Sequence, residues 1–466
     1  MELLNNLISS VNDILWTYIL IGLLLGCALW FTIKTKFVQF RMIGEMVRLL
    51  GDSTGKEKGR EHHISSFQAF AISLASRVGT GNLAGVATAI TIGGPGAVFW
   101  MWIIALLGAS SAFIESTLAQ LFKVHGKQSF IGGPAYYMNK GLKKPWMGTL
   151  FAALITFTFG FAFNSVQSNT ICAAFQGAFN FDPTIIGLIL TGLTLIIIFG
   201  GITRIAKVSS IVVPVMAVGY ILLALVIIIM NITQIPNVIM LIIENAFGIN
   251  QAIGATLGMA LMQGIKRGLF SNEAGMGSAP NVAATADVSH PVKQGLIQAL
   301  GVFTDTLIIC SCTAFIILCS GEYLTGETNG VQLTQAALNS QIGTTGTVFV
   351  AIAILFFAYS SILGNYYYGE ANIRYISKKK WVVQIYRLAV GGMVMFGALA
   401  SLDLAWSLAD LTMGLMALCN LVAILLLGKF AFALLEDYRE QKRRGIKNPV
   451  FTKDKLKNIE DEIECW

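Results

Sequence analysis

Two short stretches place polar residues and glycines where a lipid-spanning segment should have none. "SRVGTGN", residues 76–82, interrupts apolar sequence that runs over 67–75 and again over 83–92. "SNEAGMGSAPNVAATA", residues 271–286, does the same later in the chain. Gly79, Gly81, Val86 and Ala87 recur at one constant offset as Gly275, Gly277, Val282 and Ala283, so both stretches read G-x-G-x-x-x-x-V-A. Unwinding a helix in lipid strands backbone N–H and C=O groups at several kcal/mol each, so a break persists only where it lines a cavity or a bound solute. The N-termini of the half-helices offer partial positive charge to a carboxylate, and the freed carbonyls suit a small cation. Close helix packing through glycine is the alternative, but Arg77, Asn82, Asn272 and Glu273 are poor packing residues. A third polar stretch, "FNSVQSNT" at 163–170, nominates Gln167 and then Asn164 for a solute contact, or else as amides that join helices.

Enzyme chemistry finds no support. H-E-x-x-H and G-x-S-x-G are absent, and the seven cysteines lack metal-ligand spacing; Cys310 and Cys312 face different ways on one helix. "GTGNLAG" follows no strand and precedes no G-K-[ST], so it is not a nucleotide loop. No span carries a ring of charge or a repeated filter, which disfavours a channel.

These residues are positioned by membrane helices. The chain has 466 residues, 55% hydrophobic and 12% charged, against about 25% charged in soluble domains. Eleven spans are predicted: 14–32, 66–92, 96–122, 147–177, 184–201, 207–230, 251–286, 293–319, 346–370, 382–400 and 405–430. The first has acidic residues before it and basic ones after it, unlike a cleavable signal, and is read as retained. Lys and Arg populate alternate connections, including Lys56, Lys58 and Arg60 after the first span and Arg204 and Lys207 after the fifth. Segments 1–13, 178–183, 231–250, 320–345 and 401–404 contain neither. This alternation puts the N-terminus outside and the tail in the cytoplasm of a multi-pass cell-membrane protein. The net charge of +7 is therefore a topology signal, not a nucleic-acid footprint. His62 and His63 fall in a cytoplasmic connection and carry no role. The expected division is an extra helix and connection (1–65), two inverted five-helix sets (66–230 and 251–430) and a cytoplasmic tail (431–466). Paired glycine-interrupted helices opening two inverted halves point to the midplane site of a secondary transporter.

"GGPGAVFWMWIIALLGA" (93–109) and "NEAGMGSAP" (272–280) resemble the alanine or glycine:cation symporter family, and the resemblance extends over nearly the whole chain. It implies an all-α, LeuT-like inverted-repeat fold within the amino acid–polyamine–cation superfamily. It also implies import of alanine, glycine or similar small neutral amino acids by alternating access, driven by sodium and in some members by protons. Serine or glutamine are alternative substrates. "VGTGN" (78–82) looks like the unwound first core helix of sodium-coupled neurotransmitter transporters. On this resemblance the substrate carboxylate meets Gly79, Thr80 and Gly81. The ammonium meets the other break, Asn272 to Gly277, with Gly275 and Gly277 there and Met276 limiting the side chain. Gln167 and Asn164 complete the substrate set. Sodium is expected between Ala75, Val78, Phe357, Ser360 and Ser361, although adjacent serines on a helix are often only back-bonding residues. Asn82 resembles a ligand of a second sodium. Arg77 and Glu273, at matching positions, are expected to pair. Glu115, Asp305 and Asp410 also fall within spans, and Asp305 is the candidate for proton coupling.

Overall fold

Apolar runs of this length can satisfy their backbone in lipid only as helices or closed barrels, and here they form helices. The computed structural model describes residues 2–52, 64–126, 129–200, 202–248 and 257–466, with side chains from residue 8 onward and, within Ile202–Met230, from residue 214. Lys56, Lys58, Arg60, His62, His63, the side chains of Arg204 and Lys207, and the first turn of the second interrupted span lie outside the described residues. Among the described residues, seven helices have the length and apolarity to cross a membrane: Ile8–Lys34, Gly96–Leu121, Pro145–Phe179, Pro291–Ser320, Thr344–Ile376, Lys380–Leu399 and Leu402–Arg443. Pro214–Met230 and Ile235–Ala246, bent by 102°, add an eighth if taken as one span. The other expected spans are a shorter apolar helix, Pro183–Phe199, and the two glycine-interrupted segments. Among the described residues, length and composition alone thus give seven or eight full spans, and the bent, short and interrupted segments make up the rest of the expected set.

The interrupted helices run in opposite directions. Ser66–Arg77 opens the first, and Pro280–Ala283 closes the second. Ile64, just before the first, bridges Ala286, just after the second, and Asp287 N–H donates to the Ile64 carbonyl at 3.0 Å. The start of one therefore lies beside the end of the other.

Around that point the basic connections converge. Lys293 meets Asp52 at 2.5 Å, Trp466 donates to the Gln120 carbonyl at 2.9 Å, Lys140 pairs with Glu464, and Phe451 N–H donates to the Ser289 carbonyl. Of the segments without Lys or Arg, 231–250 meets 320–345, where Asn231 reaches Gln341. Asn12 and Ala246 meet the starts of spans, Asn12 donating to the Ser407 carbonyl and the Ala246 carbonyl accepting from Trp100. Helices pack closely through small residues, as lipid-embedded helices must. A Cβ at Gly264 would stand 2.5 Å from the Ala97 carbonyl oxygen, so glycine there lets Leu257–Asn272 lie against Gly96–Leu121.

Candidate substrate and cation site

The first break is built by its own sequence. Ser66–Arg77 starts in a capping box of Ser65 and Gln68 and ends at Val78, whose backbone is extended (φ −74°, ψ 96°). Helix resumes in a wide π-type turn over Gly81–Gly85, a distortion that often marks functional positions. Asn82 folds back so that its Oδ1 accepts the Gly79 N–H at 2.9 Å. The Thr80 N–H donates to Gln167 Oε1 at 3.1 Å. A Cβ on Gly79 would collide with Ser361 Oγ and stand 3.0 Å from Gln167 Oε1. Gly79, Thr80, Gln167 and Ser361 are thus brought together from three helices. Among the described residues, Thr80 Oγ1, Asn164 Oδ1 and Asn272 Nδ2 are buried without a hydrogen-bond partner. Each such atom costs about 1–3 kcal/mol, a cost that a polar solute relieves.

Two aromatic residues outside the polar stretches, Phe270 and Trp406, join Phe163 to complete this region. A Cβ on Gly81 would touch Phe270 at 3.0 Å and Ser271 at 3.1 Å. The Phe270 ring lies 4.4 Å from that of Phe163 and 4.6 Å from that of Trp406. The one sequence signal for Phe270 was its place directly before the second polar stretch. Nothing marked Trp406.

The five oxygens expected to hold a cation also converge. Ser361 Oγ lies 3.0 Å from the Phe357 carbonyl, 3.2 Å from that of Ala75 and 3.3 Å from that of Val78. Ser360 Oγ donates to the same Phe357 carbonyl at 2.8 Å. Back-bonding accounts for the Phe357 contacts. It does not account for Ala75 and Val78, which belong to another helix. Three carbonyl oxygens compete for one hydroxyl proton, an arrangement in which a hard cation fits the donor set.

The second break is anchored differently. Glu273, Gly275 and Gly277 adopt left-handed backbone (φ 57°, 84° and 87°). This turns the Gly275 and Gly277 N–H groups onto the two carboxylate oxygens of Glu115, at 3.2 and 3.1 Å. Asn420 donates both to Glu115 at 2.8 Å and to the Gly275 carbonyl at 2.9 Å, and Asn281 takes the Gly277 carbonyl. Gly275 and Gly277 are thereby committed to protein partners, and Met276 is fully buried beside them. Glu115, visible in the sequence only as a charge within a span, is the residue that holds this break.

The charges at the breaks are distributed by neighbours. Among the described residues Arg77 and Glu273 form no ion pair. Arg77 donates to the Gln298 carbonyl at 3.2 Å, while Glu273 accepts from Ser76 and Ser278 at 3.1 and 2.5 Å. Fully buried Asp305 accepts from Asn82 at 2.7 Å and Ser271 at 2.6 Å, so it ties the two breaks together. Asp410 pairs with Arg267 at 2.5 Å.

Broken antiparallel helices converging on buried polar groups define a transporter of LeuT-like fold. Two solved structures share that fold. MhsT in complex with L-phenylalanine matches with a TM-score of 0.57 and 15% identity over 86% of this chain and 93% of that one. A Na+-coupled sialic acid symporter in a substrate-bound outward-open state matches with a TM-score of 0.53 and 15% identity, over 84% and 87%. The chain belongs to the sodium:alanine symporter family, whose profile matches residues 1–453. It is 56% identical to the probable sodium/glutamine symporter GlnT of Bacillus subtilis (strain 168), over 100% of this chain and 96% of that protein. The sodium/alanine symporter AgcS of Methanococcus maripaludis is 38% identical, over 95% and 99%. The protein is thus a multi-pass membrane transporter and not an enzyme.

Proposed function

We propose that the protein imports small neutral amino acids, alanine and glycine foremost, in symport with sodium by alternating access. The observation that carries this reading is the Ser361 cluster, where oxygens of the first break and of Thr344–Ile376 face one another with too few protons between them. Sodium there is held by Ala75, Val78 and Phe357 carbonyls and the Ser360 and Ser361 hydroxyls. The substrate carboxylate takes the N–H groups around Gly79, Thr80 and Gly81, displacing the Gln167 oxygen that now accepts from Thr80 and the Asn82 oxygen that now accepts from Gly79. Gln167, Asn164 and Asn272 then serve the substrate, with Phe163, Phe270 and Trp406 limiting its side chain. The Val78 carbonyl and the Gly79 N–H are opposite ends of one peptide group. A cation on the oxygen orients and polarises the N–H beside the carboxylate, so each ligand strengthens the other's binding, as linkage requires. The repeats remain 66–230 and 251–430, with the N-terminus outside and the basic end cytoplasmic.

Reconstituted protein tests this directly. Labelled alanine uptake should be saturable and require an inward sodium gradient, and its sodium half-saturation should fall as alanine rises. A competition panel of glycine, serine and glutamine ranks the substrates. Uptake unchanged without sodium defeats the reading. Uptake driven by pH alone transfers the coupling to Asp305, the buried carboxylate bonded to Asn82 and Ser271.

A further inference from the structure

The first long span and the last helix end side by side, and a cavity of about 250 Å³ lies between them. Thr35, Lys36 and Arg41 wall one side; Arg439, Lys442 and Arg443 wall the other. Left-handed backbone at Lys36 and Phe37 (φ 56° and 58°) turns the chain sharply as it leaves Ile21–Lys34. Arg41 then donates to the Lys36 carbonyl at 3.3 Å, which keeps the two cations on one wall.

Five cations share this space with two carboxylates. Glu45 lies 3.2 Å from Lys442 but is also held by Arg48 and by Tyr438. Glu436 stands 3.8 Å from Arg439 and 3.9 Å from Arg443, with its side chain 59% exposed. Among the described residues no carboxylate lies within ion-pair distance of Lys36 or Arg41. Like charges gathered round a cavity repel unless an anion joins them.

The surroundings indicate where that anion resides. Trp30, Ile33, Phe37, Phe40 and Ile43 are all exposed around the cavity's first wall. Lys34 lies 4.6 Å over the Trp30 ring, the pairing of aromatic and cation found at membrane–water interfaces. The basic cavity therefore opens at headgroup level.

We propose that this cavity binds a phosphate group, supplied by the headgroup of an anionic phospholipid. Arginine forks and lysine ammonium groups suit phosphate oxygens, and basic pockets between membrane helices take such headgroups.

The test uses full-length protein in nanodiscs of phosphatidylcholine, with or without phosphatidylglycerol, and reads lipid retention by native mass spectrometry alongside the thermal midpoint. Wild type should retain phosphatidylglycerol and gain thermal stability from it. Each cation near an anionic lipid surface is worth about fivefold in binding. The triple variant Lys36→Gln, Arg41→Gln, Arg443→Gln should therefore lose affinity on the order of 100-fold. The charge-preserving Lys36→Arg, Arg41→Lys, Arg443→Lys should keep it, which separates charge loss from misfolding. A second arm adds inorganic phosphate to phosphatidylcholine discs. Saturable stabilisation by phosphate in wild type but not in the triple glutamine variant, with no preference for phosphatidylglycerol, overturns the lipid source in favour of a soluble phosphate. Equal phosphatidylglycerol retention by wild type and the triple glutamine variant overturns the site.

Discussion

Replacing Ser361 by alanine removes the hydroxyl at the centre of the oxygen cluster and leaves Ala75, Val78 and Phe357 carbonyls facing one another. Five oxygens form the expected cation shell, so the substitution deletes one ligand of five. A neutral group bonded to a charge contributes about 1.5–3 kcal/mol; about 2 kcal/mol corresponds to roughly 30-fold in affinity. The sodium half-saturation for alanine uptake should rise by about that factor. The fold itself should lose about 1–3 kcal/mol, the cost of leaving a buried acceptor without its donor, because the Phe357 carbonyl keeps the Ser360 hydroxyl while Ala75 and Val78 lose theirs. Ser360→Ala should shift sodium dependence less, since that hydroxyl reaches Phe357 alone. Uptake measured against sodium concentration at fixed alanine decides the matter. If Ser361→Ala leaves the half-saturation within about twofold of wild type, the serine is only a back-bonding residue and the cation reasoning fails.

Gly79→Ala places a methyl against Ser361 Oγ and 3.0 Å from Gln167 Oε1, so uptake should fall more than about tenfold in protein that stays monodisperse; near-normal uptake would remove Gly79 from the cradle. Glu115→Gln exchanges one of two accepting oxygens for a donor facing the Gly275 or Gly277 N–H or Asn420, a loss of about 2–3 kcal/mol visible as a lower thermal midpoint, whereas an unchanged midpoint would show the break holding without its anchor. Burial raises the Glu45 pKa, but hydrogen bonds from Arg48, Tyr438 and Lys442 outweigh it and bring the carboxyl to about 2 from an ordinary 4.5. Its stabilising contribution is complete above about pH 4.5 and disappears as pH falls through 2. The difference in thermal midpoint between wild type and Glu45→Gln should accordingly be flat above pH 4.5 and shrink below it, and a difference that grows on acidification would contradict this.

Sequence alone determined where the helices break. Glycine, asparagine and arginine in lipid are too costly to be accidental, so 76–82 and 271–286 stood out without any partner in view. Contacts made within a few residues were equally legible: the Val78 carbonyl is freed by its own break, and Ser360 and Ser361 lie one turn from Phe357. Only the tertiary structure decided which helix each buried charge faces, because rotation of a helix about its axis follows from packing against every neighbour rather than from its own residues. That is why Glu115 anchors the second break, why Arg77 turns to Gln298 rather than Glu273, and why Asp305 joins Asn82 to Ser271. Trp406 shows the same limit, since in an apolar helix a tryptophan beside the site and one facing lipid have the same sequence signature until the helices pack.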